Sequence, residues 1–155
     1  MPDTAPSSEL TAVLGQLMQR AAPGQQQLLM ALAERMAAER YRAWADNEEG
    51  ERRVALLACA AREEEVARRI EALHEQAGVV QALIREQNPD LGDLARAFFA
   101  RFPVEEQYRL QAQAERLGAA SWRSLAKRAE GGALRDVYLT CAALEEESAV
   151  VLESF

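Results

Sequence analysis

The chain has a single histidine, two cysteines, five prolines and eight glycines in 155 residues, and aromatic side chains make up only 6% of it. With so few imidazoles and thiols there is no zinc-ligand pattern, and no Gly-rich phosphate loop or nucleophile-and-base motif occurs either. β-branched residues are sparse as well, which argues against sheet. The formal net charge is −7, and the arginines are interspersed with acids, so no basic footprint for nucleic acid exists. No run approaches the roughly 18 apolar residues of a membrane span, and the first residues lack the basic and apolar regions of a secretion signal. The expectation is a cytoplasmic protein with no membrane and no nucleic-acid partner, whose Cys59 and Cys141 are free buried thiols.

What the chain does have is Ala, Leu, Glu, Arg and Gln, all strong helix formers, so the fold class expected is all-α. Ser7 to Ala21 carries Leu10, Val13, Leu14, Leu17 and Met18 at helical spacing and breaks at Pro23-Gly24. Long helical patterns follow from Gln25 to about Asp46 and, after "NEEG", from Glu51 to Ala77. About 25 residues, containing a short amphipathic helix with Phe98, Phe99 and Phe102, then lead to Pro103. Two more long helices, 104 to 129 and from Gly131-Gly132 to the end, complete a pattern of hairpin, crossover, hairpin. Residues 1–24 read as an N-terminal tail and amphipathic leading helix, and 25–155 as a four-helix bundle with one long crossover.

The two hairpins repeat each other. "CAAREEEVARRIEAL", 59–73, aligns with "CAALEEESAVVLESF", 141–155, at 8 of 15 identical positions, and "AERMAAERYRAWA", 33–45, aligns with "AERLGAASWRSLA", 114–126, at 6 of 13. The offsets, 82 and 81, nearly coincide, which points to a duplicated hairpin. Projected at 3.6 residues per turn, each long helix shows one apolar stripe interrupted once by an acid: Glu34, Glu63, Glu115 and Glu145. Four inward carboxylates would repel, and burying each costs several kcal/mol, so cations, protons or arginines must neutralise them. Hard divalent metals suit such oxygen donors.

At these residues the chain resembles the ferritin-like superfamily, its rubrerythrin branch above all. Glu34 and Tyr41 in "ERMAAERY" match the Glu-x6-Tyr of that family's first helix, and "EEEVARRI", 63–70, matches its Glu-x-x-His phrase at every position type but one. The resemblance implies a ferritin-like four-helix bundle spanning 25–155, metal ligands at Glu34, Glu63, Glu115 and Glu145, iron or manganese as cofactor, and a non-haem di-iron or di-manganese oxidoreductase. The departures are specific. Val66 and Ser148 stand where both histidines of the Glu-x-x-His pairs belong, Gly118 stands where rubrerythrins carry an additional carboxylate, and no Cys-x-x-Cys tail is present. The expectation is therefore a degenerate carboxylate di-metal site with weak metal binding or none, and without enzymatic activity. The alternative is a metal-free helical binding or scaffold module that works through an unknown protein partner or a homodimer.

Several residues carry two readings each. His74 lies about three turns beyond Glu63, too far to replace either imidazole, and reads as a helix-end residue. Cys59 and Cys141 sit four residues before an inward glutamate, where a thiolate ligand is conceivable and a small core residue is the simpler reading. Tyr41 and Trp122 read as core aromatics or as hydrogen-bond partners of the opposite hairpin's carboxylates. Arg35 and Arg116 each follow an inward glutamate, and a guanidinium there would replace metal. The remaining acids, Glu64, Glu65, Glu146 and Glu147, read as solvated surface.

Overall fold

The computed structural model describes residues 4–155, so the first three residues of the N-terminal tail lie outside the description. The described residues form seven α-helices: α1 (Thr4–Met18), α2 (Gln26–Ala45), α3 (Gly50–Glu71), α4 (Ala77–Gln87), α5 (Leu91–Ala100), α6 (Val104–Arg128) and α7 (Gly132–Glu153). A single 3-10 turn, Pro23–Gln25, leads into α2, and no strand occurs among the described residues. No helix there is long and apolar enough to cross a membrane.

The long helices pair as α2 with α3 and α6 with α7, and the two hairpins meet through α3 and α7. Each hairpin turn carries a glycine with positive φ at the head of its second helix, Gly50 at +61° and Gly131 at +104°, a conformation that other residues adopt only under strain. These two glycines are themselves 81 residues apart, the same offset as the sequence match.

The stripes place the core as their periodicity requires. One apolar layer holds Ala38, Tyr41, Cys59, Ala60, Tyr108, Ala112 and Leu152. The other holds Ala31, Val66, Ala67, Ala119, Trp122, Cys141 and Ala142. Every glutamate of the four falls along its helix between a residue of the first layer and one of the second. The acids are therefore sandwiched between two apolar layers.

Two sequence expectations are corrected. The second long helix ends at Glu71 and not at Ala77, and the crossover contains two helices, α4 and α5, not one. No glycine or proline announces the break at 72–76, and the local bonds that close it, Leu73 N–H to Ile70 and His74 N–H to Glu71, are of the tight 3-10 type. The gain is tertiary: α4 packs on α2, with Ile84 buried beside Leu28, Leu29 and Leu32, and Gln81 Nε2 donates to the Leu28 carbonyl. Packing overrides propensity here. At the other end of the chain, α1 begins before Ser7, and it lies against α6 and α2 with Leu10 and Leu17 buried.

Candidate functional site

Glu34, Glu63, Glu115 and Glu145 converge from α2, α3, α6 and α7. Glu63, Glu115 and Glu145 are at most 2% exposed. Glu34 is half-buried, because one side of it borders a cavity under α1. Its carboxyl lies within hydrogen-bonding reach of both Glu63 and Glu145, and Glu63 lies within reach of Glu115. All four sequence-predicted ligands therefore meet at one place.

Each fully buried acid has a partner for at least one oxygen. Glu115 Oε1 accepts from Tyr41 Oη at 2.7 Å and from Gln111 Nε2 at 2.8 Å. Glu145 Oε1 accepts from Trp122 Nε1, and Glu63 Oε1 accepts from Ser148 Oγ at 3.4 Å. Tyr41 thus reaches the acid of the opposite hairpin, whereas Trp122, which aligns with it in sequence, serves an acid of its own hairpin. Glu63 Oε2 is buried and has no partner, so only a proton shared with a neighbouring carboxyl, or a cation, can satisfy it.

Electrostatics follow from burial. Desolvation lifts Glu63 and Glu145 well above the ordinary carboxyl range, with the neighbouring acids adding to the effect. Glu115 rises to about 7, pushed by burial and by Glu34 and moderated by its bonds from Tyr41 and Gln111. Burial raises Glu34 too, opposed by its contacts with Glu63 and Glu145 and by the Arg40 charge. Acids crowded in this way share protons. In keeping with that, no three His, Cys, Asp or Glu side chains among the described residues stand where they could hold a metal ion without moving.

Val66 and Ser148 are both fully buried. Val66 belongs to the apolar layer beside Trp122. Ser148 is polar and connected: Arg62 Nε donates to its Oγ at 3.0 Å, and that hydroxyl donates to Glu63. A guanidinium, a hydroxyl and a carboxyl therefore form a relay at Ser148, one of the two positions where the sequence resemblance leads one to expect histidine. Gly118 also has a structural use. A Cβ there would stand 1.8 Å from Glu145 Oε2, so the missing side chain makes room for that carboxyl.

Arg35 and Arg116 do not neutralise the inward glutamates. Each forms a two-pronged pair with an acid near the end of its neighbouring helix, Arg35 with Glu71 at 2.7 and 2.9 Å and Arg116 with Glu153 at 3.0 and 2.9 Å. Their guanidinium groups stay partly exposed because those acids lie at the rim of each hairpin. The cation that faces the cluster is Arg40, which sequence reasoning missed. Its Nε donates to Gln111 Oε1 at 3.0 Å, and its guanidinium lies 4.2 Å from the centre of the Phe99 ring. Gln111, one turn before Glu115, links that charge to the acid and was missed as well.

The other candidates give the carboxyl cluster no hydrogen bond, although Cys59 Sγ accepts from Arg62 Nη2 at 3.2 Å and so touches the relay. His74 lies in the turn after α3, with Nε2 3.4 Å from Gln27 Oε1. Cys59 and Cys141 are free and buried, and burial holds both as thiols, Cys141 up to about 12. Among the surface acids, Glu64 pairs with Arg42, Glu65 with Arg68 and Arg69, Glu146 with Arg116 and Arg123, and Glu147 with Arg62. No protein-family model, curated protein or solved structure matches the chain.

Proposed function

We propose that the chain is a ferritin-like four-helix bundle, made from two copies of one helical hairpin, whose carboxyl cluster binds a hard divalent cation weakly and performs no oxygen-activating chemistry. The duplication is supported by features spaced 81 or 82 residues apart: the inward acids, the two hairpin-turn glycines, and the pairs Arg35–Glu71 and Arg116–Glu153.

The observation that carries the cation reading is the buried, partnerless Glu63 Oε2 at the meeting point of four acids. Glu34, Glu63, Glu115 and Glu145 would hold the cation, which would supply the positive charge that lets them ionise together. An all-oxygen donor set fits manganese(II), iron(II) or magnesium. It does not fit a centre that takes an imidazole from each Glu-x-x-His pair. The chain's own residues fix the acids: Tyr41 and Gln111 orient Glu115, Trp122 orients Glu145, and the Arg62–Ser148 relay orients Glu63.

The test is titration of the metal-free full chain with manganese(II) at about pH 8, read by the loss of the free-ion EPR signal and by thermal melting. Binding with a rise in Tm is expected, since a ligand specific for the folded state must stabilise it. No binding and no shift at millimolar manganese would refute the reading. The second reading, a metal-free module acting through a partner or a second copy, draws its support from the carboxyls lying against one another in proton-sharing contact, and it would then stand.

A further inference from the structure

A cavity of about 320 Å³ opens between α1 and the seam of α2 and α6. Leu14, Met18 and Met30 give it apolar walls, and Glu34, Glu115, Glu145 and Arg40 give it a polar, mainly acidic floor. Such a volume lies at the small end of the range for organic ligands. We propose that this cavity binds a small apolar molecule bearing a protonated amine, its hydrocarbon part against the α1 wall and its ammonium group against the carboxyl floor.

The floor decides the head group. Three acids border the cavity against one guanidinium, and Arg40 is already engaged with Gln111 and the Phe99 ring. An ammonium brings three donors and no acceptor, which suits a surface rich in carboxyl oxygens. A carboxylate or phosphate head would oppose any ionisation of these acids, whereas an ammonium favours their ionised form.

The floor is also built to be reached. Gly118 lines the cavity, and any side chain there would overlap Glu145 Oε2, so its absence brings that oxygen to the floor. Glu34 is the one acid of the four that is not fully buried, and the cavity is where it opens. Beneath them Glu63 Oε2, buried and without a partner, belongs to an acid within reach of both Glu34 and Glu115. This inference needs the cavity and its carboxyls only, so it stands apart from the cation reading.

The experiment uses the full chain in EDTA at about pH 7, which keeps its outcome separate from that of the manganese titration. Hexylamine, hexanol and hexanoate are compared by calorimetry. Hexylamine should bind at least about tenfold tighter than either comparator. Its alkyl protons should give nuclear Overhauser contacts to the Met18 and Met30 methyl groups, a readout that needs no variant. Gly15 lies on the cavity side of α1, and a Cβ there meets nothing within 4 Å. Gly15→Leu should therefore fold, fill the mouth and weaken hexylamine about tenfold. Equal affinity for hexanol or hexanoate, no binding, contacts to other residues, or full affinity in a folded Gly15→Leu variant would each overturn the proposal.

Discussion

Gly118→Ala tests the geometry of the carboxyl cluster most directly, because an identical exchange at Gly15 serves as its control. In a helix interior alanine is favoured over glycine by about 1 kcal/mol. At Gly15 the new methyl meets nothing within 4 Å, so the variant should show that gain almost undiminished. At Gly118 the methyl would stand 1.8 Å from Glu145 Oε2 and 2.7 Å from its carboxyl carbon, distances that cannot persist. The carboxyl has to turn, yet Glu145 is 1% exposed and bonded to Trp122. Losing a hydrogen bond to a buried carboxyl costs about 1.5–3 kcal/mol, and overpacking costs about 1–3 kcal/mol where the side chain cannot escape.

If the carboxyl turns and gives up its hydrogen bond without residual overpacking, subtracting the helix-propensity gain leaves a destabilisation of about 0.5–2 kcal/mol for Gly118→Ala. For a domain of this size, that lowers Tm by about 1–8 °C, while Gly15→Ala raises it by about 2–4 °C. Thermal melts followed by circular dichroism measure both. Fluorescence of Trp122, isolated by Trp44→Phe, should report the loss of its hydrogen bond in Gly118→Ala alone. If Gly118→Ala melts at or above the wild-type temperature with unaltered Trp122 emission, Glu145 is not held where its hydrogen bond to Trp122 puts it.

Three further outcomes are expected. Because the folded-state values of Glu63, Glu145 and Glu115 are raised, the native state binds more protons than the unfolded chain, so stability from urea titrations should fall as pH rises from about 5 to about 8. The ion-paired surface acids Glu65, Asp90 and Glu153, held below the usual range by their arginines, act in the opposite sense at lower pH, and a continued rise in stability up to pH 8 would contradict the buried cluster. Glu34→Gln combined with Glu115→Gln should be at least as stable as wild type at about pH 8 and lose any manganese-induced rise in Tm; a loss above about 3 kcal/mol would mean that the acids are fully paired. Ser148→His should melt lower than wild type without metal, since Ser148 is fully buried, and should bind manganese at least about tenfold tighter; unchanged affinity would show that this position does not face the cation.

The inward acids were legible because one glutamate interrupting an apolar stripe is a strong periodic signal, and Tyr41 was legible through its spacing from Glu34. Arg40, Arg62 and Gln111 were not. Arg40 and Arg62 stand beside their helices' stripes, where a polar residue looks like solvated surface, and only the packing of one hairpin on the other shows what each one meets. Arg35 and Arg116 misled for the related reason that adjacency in sequence to an inward acid turns a side chain away from it. The end of α3 at Glu71 had no local mark, since the docking of α4 on α2 sets it. Gly118 was visible only as a missing carboxylate, because what a glycine makes room for lies on another helix.

The different reach of Tyr41 and Trp122 bears on how the molecule assembles. The second hairpin can satisfy Glu145 from within itself, through Trp122. Glu63 has no such recourse, since its bond comes from Ser148 on α7, and Glu115 keeps only Gln111 of its own helix until Tyr41 on α2 reaches it. Until the hairpins dock, those acids must remain hydrated, and a half-formed interface would dehydrate them without their donors. Intermediate separations are thereby penalised, and the two halves, however alike, are bound to fold as one cooperative unit.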